Sequence, residues 1–188
     1  MGENVQCEPT FQLLVIEISI NLKRPVNRGV FYANILSLSK IHIMYETVQF
    51  IHSYWAYLVL FMLLIASFNA IIGFAAKKEY SATNFRIALF TLIVSHIQLL
   101  IGIVLYFTAP YFKMWSELGM GGVMADDTLR LYNMEHPLMM VIAIVLITIG
   151  YSKHKKKLTS KPKFKTLAIF YGLAFVVMLT RIPWSAWF

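Results

Sequence analysis

Residues 50–76 read FIHSYWAYLVLFMLLIASFNAIIGFAA, a stretch with no Asp, Glu, Lys or Arg. About 20 apolar residues in an α-helix cross a hydrocarbon core of roughly 30 Å. Three more runs of this kind follow: Phe85 to Pro110, Tyr132 to Tyr151 and Leu167 to Pro183. All are too apolar around their circumference for surface helices of a soluble protein. None alternates with period two, as a membrane barrel strand must, and lipid admits only helices or closed barrels. The expectation is an all-α membrane protein: an up-and-down four-helix transmembrane bundle, spanning residues 44–188 as one domain.

Composition agrees. Of 188 residues, 59% are hydrophobic and 14% charged, against about 25% charged in a soluble domain. The net charge of +8 is uneven, with seven lysines between Lys153 and Lys165. Lying between two spans, they read as a cytoplasmic loop facing anionic lipid, not as a nucleic-acid surface. Lys77, Lys78 and Arg86 after the first run share that side with Glu79. The middle loop carries Lys113 and Arg130 against Glu117, Asp126, Asp127 and Glu135, so it and both ends of the bundle are expected outside. Tyr54, Trp55, Tyr57, Tyr111, Trp115, Trp184 and Trp187 read as interfacial anchors. Gly119, Gly121 and Gly122 mark a loop. Asp126 or Asp127 reads as a cap starting the third helix near Thr128, with Pro137 early in that helix. Cys7 is the only cysteine. It allows no intrachain disulfide, no cysteine metal site and no CxxCH haem attachment.

Residues 1–43 read differently. Phe11 to Leu22 is too short to span and lacks the flanks of a signal peptide. The segment is expected to be a poorly ordered N-terminal extension, with translation beginning at Met44.

Three histidines sit inside the runs. An ionisable side chain within a span is costly and by default functional. At 100° per residue, His52 shares a stripe with Ala56, Val59, Leu63, Ala66, Ser67 and Ala70. His136 shares one with Met139, Met140, Ala143, Ile147 and Gly150. Both histidines lie near the outer ends of parallel spans, at similar depth. Two facing imidazoles at one level suit the axial positions of a haem, and small residues beneath them leave room for a flat group or let helices approach closely. Zinc would need more ligands than stand here. His96, mid-span, lies on a bulky face away from the stripe of Thr91, Ser95, Gln98 and Gly102. It reads as a hydrogen-bond donor behind the ligands, a proton relay, or a ligand in place of one of the pair. His42 and His154 read as solvated.

The order His52-Ser53, then His96-Ile97-Gln98-Leu99-Leu100-Ile101-Gly102 and Tyr106-Phe107, then Glu135-His136 and Ile147-Thr148-Ile149-Gly150-Tyr151-Ser152, resembles a family of small bacterial four-span proteins labelled cytochrome B. It also resembles one four-helix half of a haem A synthase. The resemblance covers residues 44–188. It implies a b-type haem (haem b) held by the metal ligands His52 and His136, with Gln98, Gly102, His96 and Glu135 lining the cofactor, in a bacterial inner membrane. The synthase has two such halves and this chain one, so synthase activity is not implied. Tyr151 stands where such relatives carry histidine, which argues against a second site near the inner face.

The function expected is electron transfer by a membrane b-type cytochrome, with a quinol or a redox protein as partner and homo- or hetero-oligomers left open. Glu135 is read as a hydrogen-bond partner or proton acceptor beside His136, or as a carboxylate favoured by the helix start. The other readings are a haem-poor accessory or assembly subunit of a respiratory complex, or a small transporter or sensor. No constellation for nucleophilic or phosphoryl-transfer catalysis stands out.

Overall fold

The computed structural model describes residues 28–186. Phe11 to Leu22 and the anchor Trp187 lie outside them. The helices are α1 (Arg28–Ala75), α2 (Ala82–Thr108), α3 (Pro110–Ala125), α4 (Asp127–Arg130), α5 (His136–Lys155) and α6 (Ser160–Thr180). A π-helical turn, Leu131–Glu135, joins α4 to α5. Among the described residues, four stretches are long and apolar enough to cross a membrane: His42–Ala75, Ala82–Thr108, Asp127–Lys155 and Ser160–Thr180.

The chain divides after Glu46 into two compact units. In the first, the described residues are helical, and exposed His42 pairs with Glu46 at 3.0 Å. The second, from Thr47 on, is the bundle. Its helices alternate in direction, as pairs of contacts reveal. Along α1, Trp55 Nε1 donates to the Val94 carbonyl (3.0 Å) and the Met62 carbonyl accepts from Thr91 (3.2 Å). Further on, Asn69 Nδ2 donates to Asn84 Oδ1 (3.1 Å). As α1 advances, α2 recedes. The same holds for α2 against α5, and for α5 against α6.

The core is built from the predicted stripes. Leu63, Ala143, Ile147, Tyr171 and Ala174 are fully buried, and Val59, Ala66 and Ala70 nearly so. Small residues here serve close packing. A Cβ on Gly150 would lie 2.6 Å from Phe170 Cβ, and one on Gly73 would strike the Phe164 ring at 2.3 Å. The bulky remainder of each helix, such as Phe61, Phe68, Leu100 and Val176, faces outward, as lipid-facing surfaces do.

Several sequence expectations are corrected. The middle loop is largely helical. Pro110 occupies the first turn of α3, where its missing N–H does no harm. The helix then breaks at Gly119, whose φ of 66° and ψ of 179° suit a residue without a Cβ. Trp55 is not a headgroup anchor but points its N–H into α2. The fourth helix starts at Ser160, well before Leu167. Its lysines snorkel, with Lys161 over Phe74 (5.9 Å) and Lys163 over Tyr80 (5.2 Å). His154 is not solvated; it is 1% exposed. Asp126 does cap α4, its Oδ1 accepting from Leu129 N–H at 2.8 Å.

Candidate histidine site

The π turn Leu131–Glu135 is explained by Pro137, which follows it. A proline two turns into a helical segment cannot donate to the carbonyl four residues back, and its ring crowds that carbonyl. Here that carbonyl belongs to Asn133. The backbone widens, and His136 N–H reaches back five residues to the Leu131 carbonyl. π turns of this kind recur at functional sites. The Asn133 carbonyl is served from another helix: Tyr106 Oη donates to it at 3.2 Å and accepts from Trp115 Nε1 at 3.1 Å. Proline, tyrosine and tryptophan thus set the backbone immediately before His136.

His136 is then fixed by the end of α6. Pro183 keeps that helix from continuing, and the last carbonyls of a helix lack partners within it. The Arg181 carbonyl is one of them. His136 Nδ1–H donates to it at 2.8 Å. The proton is therefore on Nδ1, and Nε2 carries the lone pair.

His52 faces this ring from α1. The two ring centres are 6.3 Å apart and the planes are inclined at 76°. Behind His52 stand Gln98 and Gly102, one turn apart on α2. Gln98 Nε2 donates to the His52 carbonyl at 2.9 Å and lies 3.3 Å from His52 Nδ1. A Cβ on Gly102 would come within 3.2 Å of His52 Cε1, so glycine lets the ring lie against the helix. Among the described residues, neither Nε2 of the pair has a hydrogen-bond partner.

Glu135 does not bond His136, whose Nδ1 is taken. Its carboxylate accepts from Arg130 Nε at 3.0 Å and faces Arg181 Nε at 3.6 Å. Arg130 also donates to Asp127 (2.6 Å) and to the Met124 carbonyl (2.9 Å). Glu135 thus ties the residue that holds His136 to the C-terminal end of α4. His96 stands apart. It is six residues from Gly102, about 9 Å of helix rise. Its Nδ1–H donates to its own helix at Leu92 (2.8 Å), and its Nε2 lies 3.4 Å from the Thr148 hydroxyl.

The sequence reading thus named six residues. The structure gathers His52, His136, Gln98 and Gly102, sets Glu135 beside them in ion pairs, and leaves His96 on hydrogen bonds of its own. It adds Arg181, Tyr106 and Asn133, which the sequence reading missed. Asn133 lies one turn outward on the His136 stripe, a signal that was there to be read.

Two imidazoles are too few to hold a bare ion, and among the described residues no group of three or more His, Cys, Asp or Glu gathers elsewhere. His52 and His136 could hold a metal only if it brought its remaining ligands with it. Two buried amide atoms lack partners: Gln98 Oε1, on the side chain that bonds the His52 carbonyl, and Asn133 Nδ2, three residues before His136. Buried polar atoms left so are rare in folded proteins. No known family model, curated protein or solved structure matches this chain.

Proposed function

We propose that the chain is a membrane cytochrome of b type, with His52 and His136 as axial ligands of one haem b, acting in electron transfer. The observation that carries this reading is the pair itself: two imidazoles whose ring centres are 6.3 Å apart, one with its proton held on Nδ1 by a backbone carbonyl. Haem, when bound, supplies one-electron exchange between ferrous and ferric iron.

The residues of the chain do the rest. The Arg181 carbonyl polarises His136 and fixes its rotamer, as hydrogen bonds behind ligating histidines do. His52 needs its proton on Nδ1 to serve as a ligand through Nε2. Gln98, whose Oε1 is unpaired, provides the acceptor when its amide turns over, giving up its contact with the His52 carbonyl. The oxygen and nitrogen of an amide exchange places by a half turn. Val59, Leu63, Ala143 and Ile147, on the same helices as the pair, are buried and pack the bundle core beyond it. Glu135 sets a negative charge beside His136.

The positive-inside rule supports an orientation with the lysine-rich turn on the cytoplasmic side of a bacterial inner membrane, and with the histidine pair and both termini toward the outer side. One haem near one face does not wire a membrane of roughly 30 Å. Its electron partner is therefore a quinol in the lipid or a redox protein on the outer side.

A reduced-minus-oxidised spectrum of the purified protein, expressed with ample haem, tests this. A b-type α band is expected, lost in His52→Ala and in His136→Ala and kept in His96→Ala. A colourless protein, or a band that survives either of the first two substitutions, sinks the proposal.

A further inference from the structure

The opposite, lysine-rich end of the bundle holds buried polar groups that neither the packing nor the histidine pair uses. His154 is 1% exposed, and neither of its ring nitrogens has a hydrogen-bond partner. The carbonyls of Gly150 and Tyr151 lie near the ring but outside hydrogen-bonding geometry. Tyr80 Oη is buried and also unpartnered. The Tyr80 and His154 rings are 5.7 Å apart, and Tyr151 closes the cluster 5.1 Å from His154. Burial, and then the neighbouring Tyr151, push the Tyr80 phenol above its usual range. Its hydroxyl therefore keeps its proton and is a donor. Three unpaired polar atoms in one buried cluster need an explanation, because such groups are expensive to leave unmet.

The surroundings say what would meet them. Lys163 Nζ stands 5.2 Å from the centre of the Tyr80 ring, and Lys155 Nζ stands 5.0 Å from that of Tyr151. Residues 153–165 contain seven lysines and no Asp or Glu, and Glu79 is the one carboxylate in the facing turn. The 21-residue helix α6 begins here. Its N-cap, Thr159, makes no side-chain bond, and the Ser160 hydroxyl is taken up by Tyr80 N–H at 3.0 Å. The amides of Ser160 and Lys161, with the positive end of the helix dipole, are thus left without a side-chain cap, while Pro162 has no N–H to offer.

We propose that this end of the bundle binds a phosphate monoester, with Tyr80 Oη and His154 as hydrogen-bond donors and with Lys155, Lys163 and the start of α6 opposing its charge. Donors from three elements suit a tetrahedral dianion with several acceptor oxygens better than a planar carboxylate. Tyr80 lies on the turn between α1 and α2, not on a helix, beside the lysine rim. A lipid headgroup and free phosphate both offer this chemistry. The proposal is independent of the histidine pair at the other end.

The test is thermal unfolding of the full chain in neutral detergent, titrated with phosphatidic acid, phosphatidylglycerol or inorganic phosphate. Saturable stabilisation by phosphatidic acid is expected, with a weaker response to the diester. Tyr80→Phe should weaken the apparent affinity about tenfold, the loss of a hydrogen bond to a charged group. Lys155→Gln combined with Lys163→Gln should weaken it further. His154→Gln risks misfolding, but Tyr80→Phe removes a single hydroxyl; if that hydroxyl were idle, the variant would be as stable as the parent and would bind equally. Stabilisation by phosphatidic acid alone identifies a lipid headgroup. The same Tyr80-dependent response to inorganic phosphate identifies a soluble ligand. Equal responses to monoester and diester with no dependence on Tyr80, or no response at all, overturn the proposal.

Discussion

Replacing Tyr106 with phenylalanine removes a hydroxyl that stands in for a peptide hydrogen. Pro137 leaves the Asn133 carbonyl without its helical donor, Asn133 is only 3% exposed, and Tyr106 Oη fills the gap at 3.2 Å. The same oxygen accepts from Trp115 Nε1 at 3.1 Å. Hydrogen bonds between membrane helices average about 0.6 kcal/mol and reach about 1.7 kcal/mol. Losing two, one of them at a half-buried tryptophan, should cost Tyr106→Phe about 1–2 kcal/mol. The cause can be isolated. Pro137→Ala returns an N–H that can reach the Asn133 carbonyl, so Tyr106→Phe should be cheaper on that background, with a coupling of about 0.6–1.7 kcal/mol. Trp115→Phe measures the other bond separately. Reversible unfolding of the four proteins in mixed micelles gives the cycle. If Tyr106→Phe costs the same with and without Pro137, the tyrosine does not serve the carbonyl that proline abandons, and the account of the π turn fails.

Gly102→Ala brings a Cβ to 3.2 Å from His52 Cε1; the haem band should persist with altered imidazole orientation in electron paramagnetic resonance, whereas Gly102→Val should abolish it. Glu135→Gln removes a negative charge beside His136 and frees Arg181. The reduction potential should rise, since ferric iron loses more stabilisation than ferrous, while stability falls by no more than about 1 kcal/mol because the ion pairs are partly exposed; a potential that falls or stays fixed would place the carboxylate out of range. Gly150→Ala puts a Cβ 2.6 Å from Phe170 Cβ and should lower stability by about 1–3 kcal/mol through overpacking, seen as a lower melting point with an unchanged spectrum.

The spans were legible because their signal is large: long runs without charge, of helical length. Their ends were not, because hydropathy penalises lysine even where its stem lies along the bundle and its ammonium over a ring, as at Lys161 and Lys163. His154 was misread for the same reason. Its lysine neighbours suggested water, yet it follows Tyr151 by three and Ile147 by seven, on the face those buried residues define. The segment from Pro110 to Ala125 was misread because its glycines were weighed above the proline that starts a helix. Within the site, the pairing of His52 with His136 came from helical stripes and matched depth, whereas Gln98 and Gly102 were singled out by the family resemblance. What fixes the histidines was hidden. The partners of His136 and of the π turn are the carbonyls of Arg181 and Asn133. Every residue carries a carbonyl, so a sequence cannot say which are left over. That follows only once Pro137 is seen to deprive its helix of a donor and α6 is seen to end before Arg181, and once a neighbouring helix is known to run past in the opposite direction. In this fold, a proline and a helix end create the vacancies, and Tyr106 and His136 are oriented by filling them.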